Sequence, residues 1–321
     1  FPSEDKKISY ERVIYRGHQS PKLKVSYLSH GKKVSLKLKL GQEVHADIAV
    51  SSLLELIGFN QDRMLYKKKV KVYLGKISLE EFKADFVNKY GLERFIRYVC
   101  STGEENGETW IVFDDVLYET RSNNELRIGP FDISSWDLSN RREFRAQLLA
   151  WGWLGITNTK LANFKFLFKE TSKGLSPLMR FQDPSSALGG SYRISRLKNI
   201  LSFNKFSRVN SFANSFIKIK DDYIDLKWND LSQFERYFQT TTWFDLKWMA
   251  RKIARIKKEN ILSSLKLSGM PEAICELYLI KLVNRRNEIV RAFGLENEFN
   301  IYQVPDLNSF NIEDSEGNVV I

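Results

Sequence analysis

The sequence predicts an α+β fold of two lobes: a β-rich N-terminal lobe with one main helix, and a mainly helical C-terminal lobe. Up to about residue 125, most segments alternate apolar and polar residues, as half-buried strands do. Beyond about residue 126, apolar residues recur mainly at helical spacing. No internal repeat or low-complexity linker is visible. We therefore expect one bilobal unit, with lobes at residues 1–125 and 126–321.

The N-terminal lobe begins with a predicted hairpin. The run "LKVSYLSHGKKVSLKLKLG" contains two alternating segments around the turn "SHG". Lys37 and Lys39 share one face of the second segment, and its Val and Leu residues form the other. Residues 43–57 predict the main helix, which Gly58 ends. Two strand-like runs follow, "KKVKVYLG" and "TWIVFDDVLYE". A short helix is predicted between them at about residues 79–88, and the segment after it is long enough for a second short helix.

For the C-terminal lobe, the sequence predicts helices and one short hairpin. Residues 140–154 carry apolar side chains at helical spacing, and "ANFKFLFKE" and "LSPLMRFQD" predict the two strands of the hairpin. Further helices are predicted at residues 242–258 and 271–293, with Pro271 in a first helical turn and Gly294 after the end. In the first of these helices, Lys and Arg fall opposite an apolar stripe of Leu246, Met249, Ala250, Ile253 and Ile256.

Composition limits the possible classes of protein. The chain has 321 residues, 43% of them hydrophobic, with 22 Phe, 13 Tyr and 7 Trp, so it is a packed globular protein. No apolar run reaches the roughly 18 residues of a membrane helix. A net charge of +11 predicts acidic partners such as phosphorylated ligands, an acidic protein or an anionic polymer. Nucleic acid is a weaker expectation, because no known nucleic-acid-binding motif is present.

Cysteine and histidine usage argues against a metal-dependent hydrolase. Cys100 and Cys275 lie far apart in sequence, match no metal spacing, and are expected to be two buried thiols. His18, His30 and His45 are too scattered for a histidine metal site. A serine hydrolase gains no support either, since no G-x-S-x-G elbow occurs.

Four polar residues beside predicted strands and turns form the main candidate site. Lys39 ends a strand, and Asp47 lies in the following helix. Asn163 begins the late hairpin and Asp183 closes it. A lysine held by a helix acid can contact phosphate oxygens, while amide and carboxylate oxygens suit Mg²⁺. This order of residues therefore predicts a site for ATP and Mg²⁺.

The same segments resemble a group of exported bacterial proteins with a protein-kinase-like pattern. The matching stretches are "RGHQSPKLKV", "VSLKLKLGQEVHADIAVSSLLELIGF", "RREFRAQLLAWGWLGITNTKLANFKFLF", "LMRFQDPSSALGG", "WFDLKWMARKIARI" and "YLIKLVNRRNEIV". More broadly, the pattern is similar to protein-kinase-like folds, including the HipA and phosphoinositide-kinase branches. The resemblance implies a nucleotide between two lobes, with the turn from Gly17 to Ser20 lying over its phosphates. It also implies export to the periplasm or the exterior, with the signal peptide removed.

The chain departs from this pattern at the position of the general base. Kinase-like loops carry an aspartate five residues before the metal-binding asparagine, where this chain has Asn158. A neutral amide cannot accept the proton of an attacking hydroxyl. Asp183 is followed by Pro184 in place of Phe-Gly, which stiffens the segment but keeps the carboxylate. Two choices stay open: Lys37 competes with Lys39 as the phosphate lysine, and Glu43 competes with Asp47 as its partner.

The resemblance to kinase-like proteins, together with the amide at the position of the general base, favours a pseudokinase. Such a protein would bind Mg-nucleotide with weak or no phosphoryl transfer. A second interpretation is an active phosphotransferase that uses another base. The sequence does not show where three further acids lie relative to the site, namely Asp114, Asp115 and Asp137. A non-catalytic envelope interaction protein and a basic polyanion-binding module are also compatible with the sequence.

Overall fold

In the computed structural model, the described residues are 1–14, 20–41, 43–120, 125–129, 140–157, 163–172, 174–181, 184, 186–189, 208–220, 223–226 and 238–306. They belong to two compact units, each made of separate chain segments. Unit 1 consists of Phe1–Ile48, Asp62–Asn123 and Leu267–Gly269, and unit 2 of Ala49–Gln61, Asn124–Lys266 and Met270–Ile321. The predicted lobe limits, 1–125 and 126–321, stay a prediction.

Unit 1 is built on a six-stranded sheet. Its strands are β1 (Ile8–Ile14), β2 (Lys22–Ser29), β3 (Lys32–Leu40), β4 (Arg63–Tyr73), β5 (Val99–Glu105) and β6 (Glu108–Thr120). Antiparallel pairs join β1 to β2, β2 to β3, β3 to β6 and β6 to β4, and a short parallel pair joins β4 to β1. These five strands therefore form a closed ring of hydrogen-bonded neighbours. The remaining strand, β5, pairs with the N-terminal part of β6.

The helices of unit 1 are α1 (Glu43–Leu56), α2 (Leu79–Tyr90) and α3 (Leu92–Tyr98). The limit between the units falls inside α1, after Ile48. A capping box begins α2, in which Ser78 accepts from the Glu81 amide and Glu81 accepts from the Ser78 amide. Phe82 and Phe86 of α2 then pack into the apolar core of the sheet. The mixed, β-rich character predicted for the N-terminal part of the chain is therefore present.

The predicted hairpin of "LKVSYLSHGKKVSLKLKLG" is confirmed as β2 and β3, with Ser29 opposite Lys32. Leu36, Leu38 and Leu40 are buried on the expected face. Lys39, on the other face, is buried as well, at 3% exposure, because that face of β3 meets the acids at the start of α1.

Unit 2 combines helices with two small sheets. The helices, beside the end of α1, are α4 (Arg142–Arg145), α5 (Gln147–Leu154), α6 (Arg208–Ser211), α7 (Trp243–Ala254), α8 (Lys258–Leu267) and α9 (Glu272–Ala292). One sheet has the order β7 (Glu125–Ile128), β8 (Phe164–Thr171), β9 (Gly174–Phe181), and the other pairs β10 (Ile217–Lys220) with β11 (Tyr223–Leu226). The predicted hairpin is present as β8 and β9, in the helix-rich C-terminal part of the chain.

Several expectations for this part of the chain were wrong in detail. Besides the expected hairpin, this part of the chain contains the strand β7 and the separate pair β10–β11. Each of these three strands has four residues, too few to show alternation. The helix predicted at 242–258 ends at Ala254, and α8 begins at Lys258. Pro271 precedes the first turn of α9 as its N-cap. Cys100, expected to be buried, is exposed on β5, where the register shifts between Val99 and Ser101 and leaves Cys100 without an opposite residue on β6.

Two further predictions are confirmed. The helix at 140–154 is present as α4 and α5, with one tight turn at Ala146 between them. Gly294 follows α9 with a φ of +58°, the left-handed conformation that glycine adopts at helix ends. Among the helices in the described ranges, none is long and apolar enough to cross a membrane.

Candidate functional site

The predicted lysine of unit 1 is held by two acids of α1. The Nζ atom of Lys39 lies 2.6 Å from Oδ2 of Asp47 and 3.0 Å from Oε2 of Glu43. The side chains of Lys39 and Asp47 are only 4% and 3% exposed, so water screens their charges weakly. Because Glu43 and Asp47 are four residues apart on a helix, both carboxylates lie on the face of α1 that meets β3.

Glu43 differs from Asp47 in its surroundings. Its side chain is 16% exposed, and its Oε2 accepts a hydrogen bond of 2.7 Å from Oγ of Ser20. Glu43 therefore shares its charge between the ammonium and a hydroxyl, whereas Asp47 makes the shorter and more buried ion pair. The sequence left open which of the two acids is the partner of Lys39. Both acids contact it, and Asp47 is the closer one.

Lys37 occupies a different environment from Lys39. Its Nζ donates a hydrogen bond of 2.8 Å to Oε1 of Glu119 on β6, and its side chain is 29% exposed. The structure thus brings Lys39, and not Lys37, together with the acids of α1. The two lysines share a strand face but differ in burial.

The connection between β3 and α1 is made at Gly41. Its φ is +106°, a conformation that side chains with a Cβ rarely adopt. A Cβ built there would lie 2.7 Å from Oη of Tyr98, the last residue of α3. Burial raises the pKa of Tyr98, so its hydroxyl stays protonated beside this turn. A glycine is therefore required between the strand lysine and the helix acids.

The remaining predicted site residues belong to unit 2 or lie outside the described residues. Asn163 is buried at 5% exposure, immediately before β8. Gly17, Asn158 and Asp183 lie outside the described residues, so their predicted roles stay predictions. Asp137, one of the acids that the sequence could not place, also lies outside them.

The described residues that flank the candidate loop of unit 2 are hydrogen-bonded to the segment that follows Asp183. The amide of Leu188 donates to the carbonyl of Leu154 over 3.0 Å, and the hydroxyl of Thr157 donates to the carbonyl of Ser186 over 3.3 Å. The hydroxyl of Tyr278 on α9 donates to the carbonyl of Leu188 over 2.9 Å. These bonds hold the backbone after α5 next to residues 186–188.

A buried arginine is hydrogen-bonded to the C-terminal end of α5, just before this loop. Arg285 of α9 is 3% exposed and donates to the carbonyls of Trp153, Gly152 and Ala213. Its guanidinium also lies 4.3 Å from the ring centroid of Phe216. Burial lowers the pKa of Arg285 to about 9. One side chain thereby binds the carbonyls of Gly152 and Trp153 in the last turn of α5, which stabilises the start of the loop.

A second buried polar cluster in unit 1 was not predicted as a group. Asp115 of β6 accepts from the hydroxyl of Tyr66 over 2.7 Å and from Nζ of Lys68 over 3.0 Å. His45 of α1 lies with Nε2 3.9 Å from Asp115 and Nδ1 2.7 Å from the carbonyl of Ser268. Because a carbonyl only accepts, Nδ1 of His45 carries a proton. Burial and the bond to Asp115 raise the pKa of Tyr66 well above its usual range.

The donor chemistry of the predicted metal site is compatible with Mg²⁺, which prefers hard oxygen ligands such as the amide of Asn163 and a carboxylate at position 183. Within the described ranges, no group of three or more His, Cys, Asp or Glu side chains is arranged to hold a metal ion. The magnesium site therefore stays a prediction that rests on the order of these residues in the sequence.

Comparison with known proteins leaves the family open. No protein-family model matches the chain. No curated protein matches it either. One solved structure that resembles it is that of the Helicobacter pylori proinflammatory kinase CtkA, with a TM-score of 0.47 and 11% sequence identity. The match covers 91% of this chain and 99% of that one. A similarity at this level decides neither the fold nor the activity of the chain.

Proposed function

We propose that this chain is a kinase-like protein that binds a magnesium-nucleotide complex and transfers phosphoryl groups weakly or not at all. The observation that carries the proposal is the buried ammonium of Lys39, in contact with Asp47 at 2.6 Å. A lysine removed from water next to a carboxylate keeps its charge and a fixed position. Fixed positive charge is what phosphate oxygens require in phosphoryl-transfer sites.

The two acids have different roles in this proposal. Asp47 holds the ammonium, because it makes the shorter contact and is almost fully buried. Glu43 is the replaceable partner, since its contact of 3.0 Å is longer and its side chain is more exposed. A phosphate oxygen would take the place of Glu43 beside Lys39. The negative charge of Glu43 would then lie near the phosphates, so binding should depend strongly on Mg²⁺.

In unit 2, Asn163 and Asp183 would hold the magnesium ion, which neutralises phosphate charge when it is bound. Asn158 stands where a general base is expected and cannot accept a proton. A positioned base contributes about 10²–10⁴-fold to such reactions, so transfer should be slow although binding is retained.

Nucleotide binding can be tested by thermal unfolding with ATP, with and without Mg²⁺. We expect stabilisation by the magnesium complex; saturation about a hundredfold above Kd would contribute about 2.7 kcal/mol. Lys39→Met should abolish the shift. Lys37→Met, which removes a charge from the same strand face, should retain it. The absence of any shift in the wild-type protein at millimolar Mg-ATP would refute the proposal.

Transfer can be tested separately with radiolabelled ATP and generic acidic or basic protein acceptors. The proposal predicts little turnover by the wild-type chain and an increase of about 10²-fold or more in Asn158→Asp, because a carboxylate can act as the base. High wild-type turnover that Asn158→Asp does not increase would favour the active phosphotransferase instead.

A further inference from the structure

The clearest surface feature outside the candidate site lies on α7. We define the α7 face as Trp243, Phe244, Lys247, Trp248, Arg251, Lys252 and Arg255. It lies opposite the buried core side chains Leu246, Met249, Ala250 and Ile253. Within the face, Trp248 is half-buried and also packs against this core, and Arg255 is the residue that follows the helix. The helix is thus amphipathic, but its outward face is aromatic as well as basic.

The aromatic end of the α7 face protrudes into solvent. Phe244 is the most exposed large apolar side chain in the described part of the chain, at 72%, and its neighbour Trp243 is 43% exposed. Trp243 meets Phe244 edge to face at 5.4 Å and lies 6.1 Å from the buried Phe293. The exposed pair is therefore supported from the core side, and ordering it in a complex costs little entropy.

The charge of the α7 face is positive. Nζ of Lys247 lies 4.4 Å from the ring centroid of Trp243, and Nζ of Lys252 lies 4.7 Å from that of Trp248. The single acid of the helix, Asp245, is 2% exposed, so its charge is turned inward. The basic groups of the face therefore have no acid of the same helix beside them.

Among the described residues, the acid Glu298 from a neighbouring segment reaches the α7 face. Glu298 forms an ion pair of 2.8 Å with Arg251, and both side chains are 43% exposed. This pair neutralises one of the four basic groups of the face. Because Lys247, Lys252 and Arg255 contribute three further positive charges, the face stays basic as a whole.

We propose that the α7 face binds the surface of an anionic lipid bilayer. Aromatic side chains beside Lys and Arg on one side of a helix are suited to the boundary between headgroups and acyl chains. Phe244 projects outward as an anchor, so its partner must surround it with apolar material. The net charge of +11 is attracted to an extended negative surface more than to a short acidic peptide.

The test uses the full chain and co-sedimentation with phosphatidylcholine vesicles, alone or mixed with phosphatidylglycerol. We expect sedimentation only with the anionic mixture. Phe244→Ser should weaken partitioning about tenfold, because it removes an aromatic ring that the bilayer would bury. Lys247→Gln combined with Lys252→Gln should weaken it by about tenfold or more, and high salt should weaken it further. The matched control is Leu28→Ser, a change at a side chain that is 65% exposed in unit 1, and it should bind as the wild type does.

A second readout locates the contact. Vesicles with brominated acyl chains quench tryptophans that enter the bilayer. Trp243→Phe keeps an aromatic ring at the face and should reduce this quenching, with sedimentation largely retained. Thermal unfolding of each variant without lipid shows whether it is folded.

Three outcomes would overturn the proposal. They are equal sedimentation with neutral and anionic vesicles, unchanged binding of Phe244→Ser, and no sedimentation with anionic vesicles at low salt. If the wild type instead binds poly-glutamate but no vesicles, the α7 face is a docking surface for acidic protein, and the bilayer assignment is wrong. None of these results bears on nucleotide binding, which rests on Lys39.

Discussion

Lys39 and Asp47 form an ion pair of 2.6 Å between a strand and a helix, and both side chains are at least 96% withdrawn from solvent. The chain between them turns at Gly41, so the pair links β3 to the first turns of α1. Such a pair fixes the helix relative to the strand whether or not a ligand is present. Its energetic role can therefore be measured apart from nucleotide binding.

Asp47→Ala should lower the free energy of unfolding by about 3 kcal/mol, because it removes the closest described counter-charge from the buried ammonium of Lys39. Urea unfolding at neutral pH measures the loss. Glu119→Ala is the matched control: it removes the partner of the more exposed Lys37, and should cost about 1 kcal/mol or less. Similar losses in the two variants would show that the Lys39 pair is no more important than the Lys37 pair.

Gly41→Ala should destabilise unit 1 by about 2 kcal/mol or more. The alanine would adopt an unfavourable φ of +106°, and its Cβ would lie 2.7 Å from the hydroxyl of Tyr98. Gly31→Ala is the control, because Gly31 has a φ of +73° with no atom within 4 Å of the added carbon. Urea unfolding should show a clearly larger loss for Gly41→Ala. Equal losses would mean that backbone conformation alone explains the effect, without the contact to Tyr98.

Gly269→Ala should perturb the buried cluster around Asp115. The added Cβ would overlap the ring of Tyr66, whose hydroxyl donates to Asp115. Since Ser268 binds His45, the shift should also loosen the start of α1, and we expect a loss of several kcal/mol in unfolding free energy. Gly75→Ala, at a φ of +69° with nothing within 4 Å, serves as the control. A loss no larger than that of the control would contradict the close packing of Gly269 on Tyr66.

Acid should weaken unit 2 through Asp245. Its bond to Arg145 lowers the pKa of this carboxyl from near 3.8 to about 2. Because the folded pKa is depressed, the pair contributes its full stability above about pH 4 and loses it as pH falls towards 2. The shift corresponds to about 2 kcal/mol near neutral pH.

Urea unfolding of the wild type and Asp245→Asn across this range measures that contribution. Asparagine keeps an oxygen that can accept from the amide at the helix start, so the capping bond of Thr242 is disturbed little. The difference between the two proteins should shrink as pH decreases from 4 to 2. A difference that is constant over this range would refute the assigned pKa.

Local patterns in the sequence were sufficient to predict the hairpin of β2 and β3, the helix α1 and the hairpin of β8 and β9. Alternation has a period of two residues and helices one of 3.6, so both leave a signal over eight or more residues. The strands β7, β10 and β11 have four residues each, which is too few for such a signal. In addition, β7 pairs with β8, a segment that is distant in sequence.

In the candidate site too, contacts between residues that are near in sequence could be predicted, and contacts between distant residues could not. Glu43 and Asp47 could be predicted to share a helix face near Lys39, because the three residues lie within nine positions of one another. Asp115 could not be placed, since its partner Tyr66 is 49 positions away. The contact between His45 and Ser268 spans 223 positions. Contacts of this kind have no local pattern.

By itself, the sequence was sufficient to predict the two hairpins β2–β3 and β8–β9 and the main helices. It also proposed the lysine, amide and acid of the candidate site and the amide at the position of the base, which stay predictions. Only the tertiary structure decided that Lys39 rather than Lys37 meets the acids of α1, and that Asp47 is its closer partner. Both lysines lie on the same strand face, so periodicity treats them alike. What distinguishes them is the position of α1 over β3, which buries one ammonium and leaves the other partly in water.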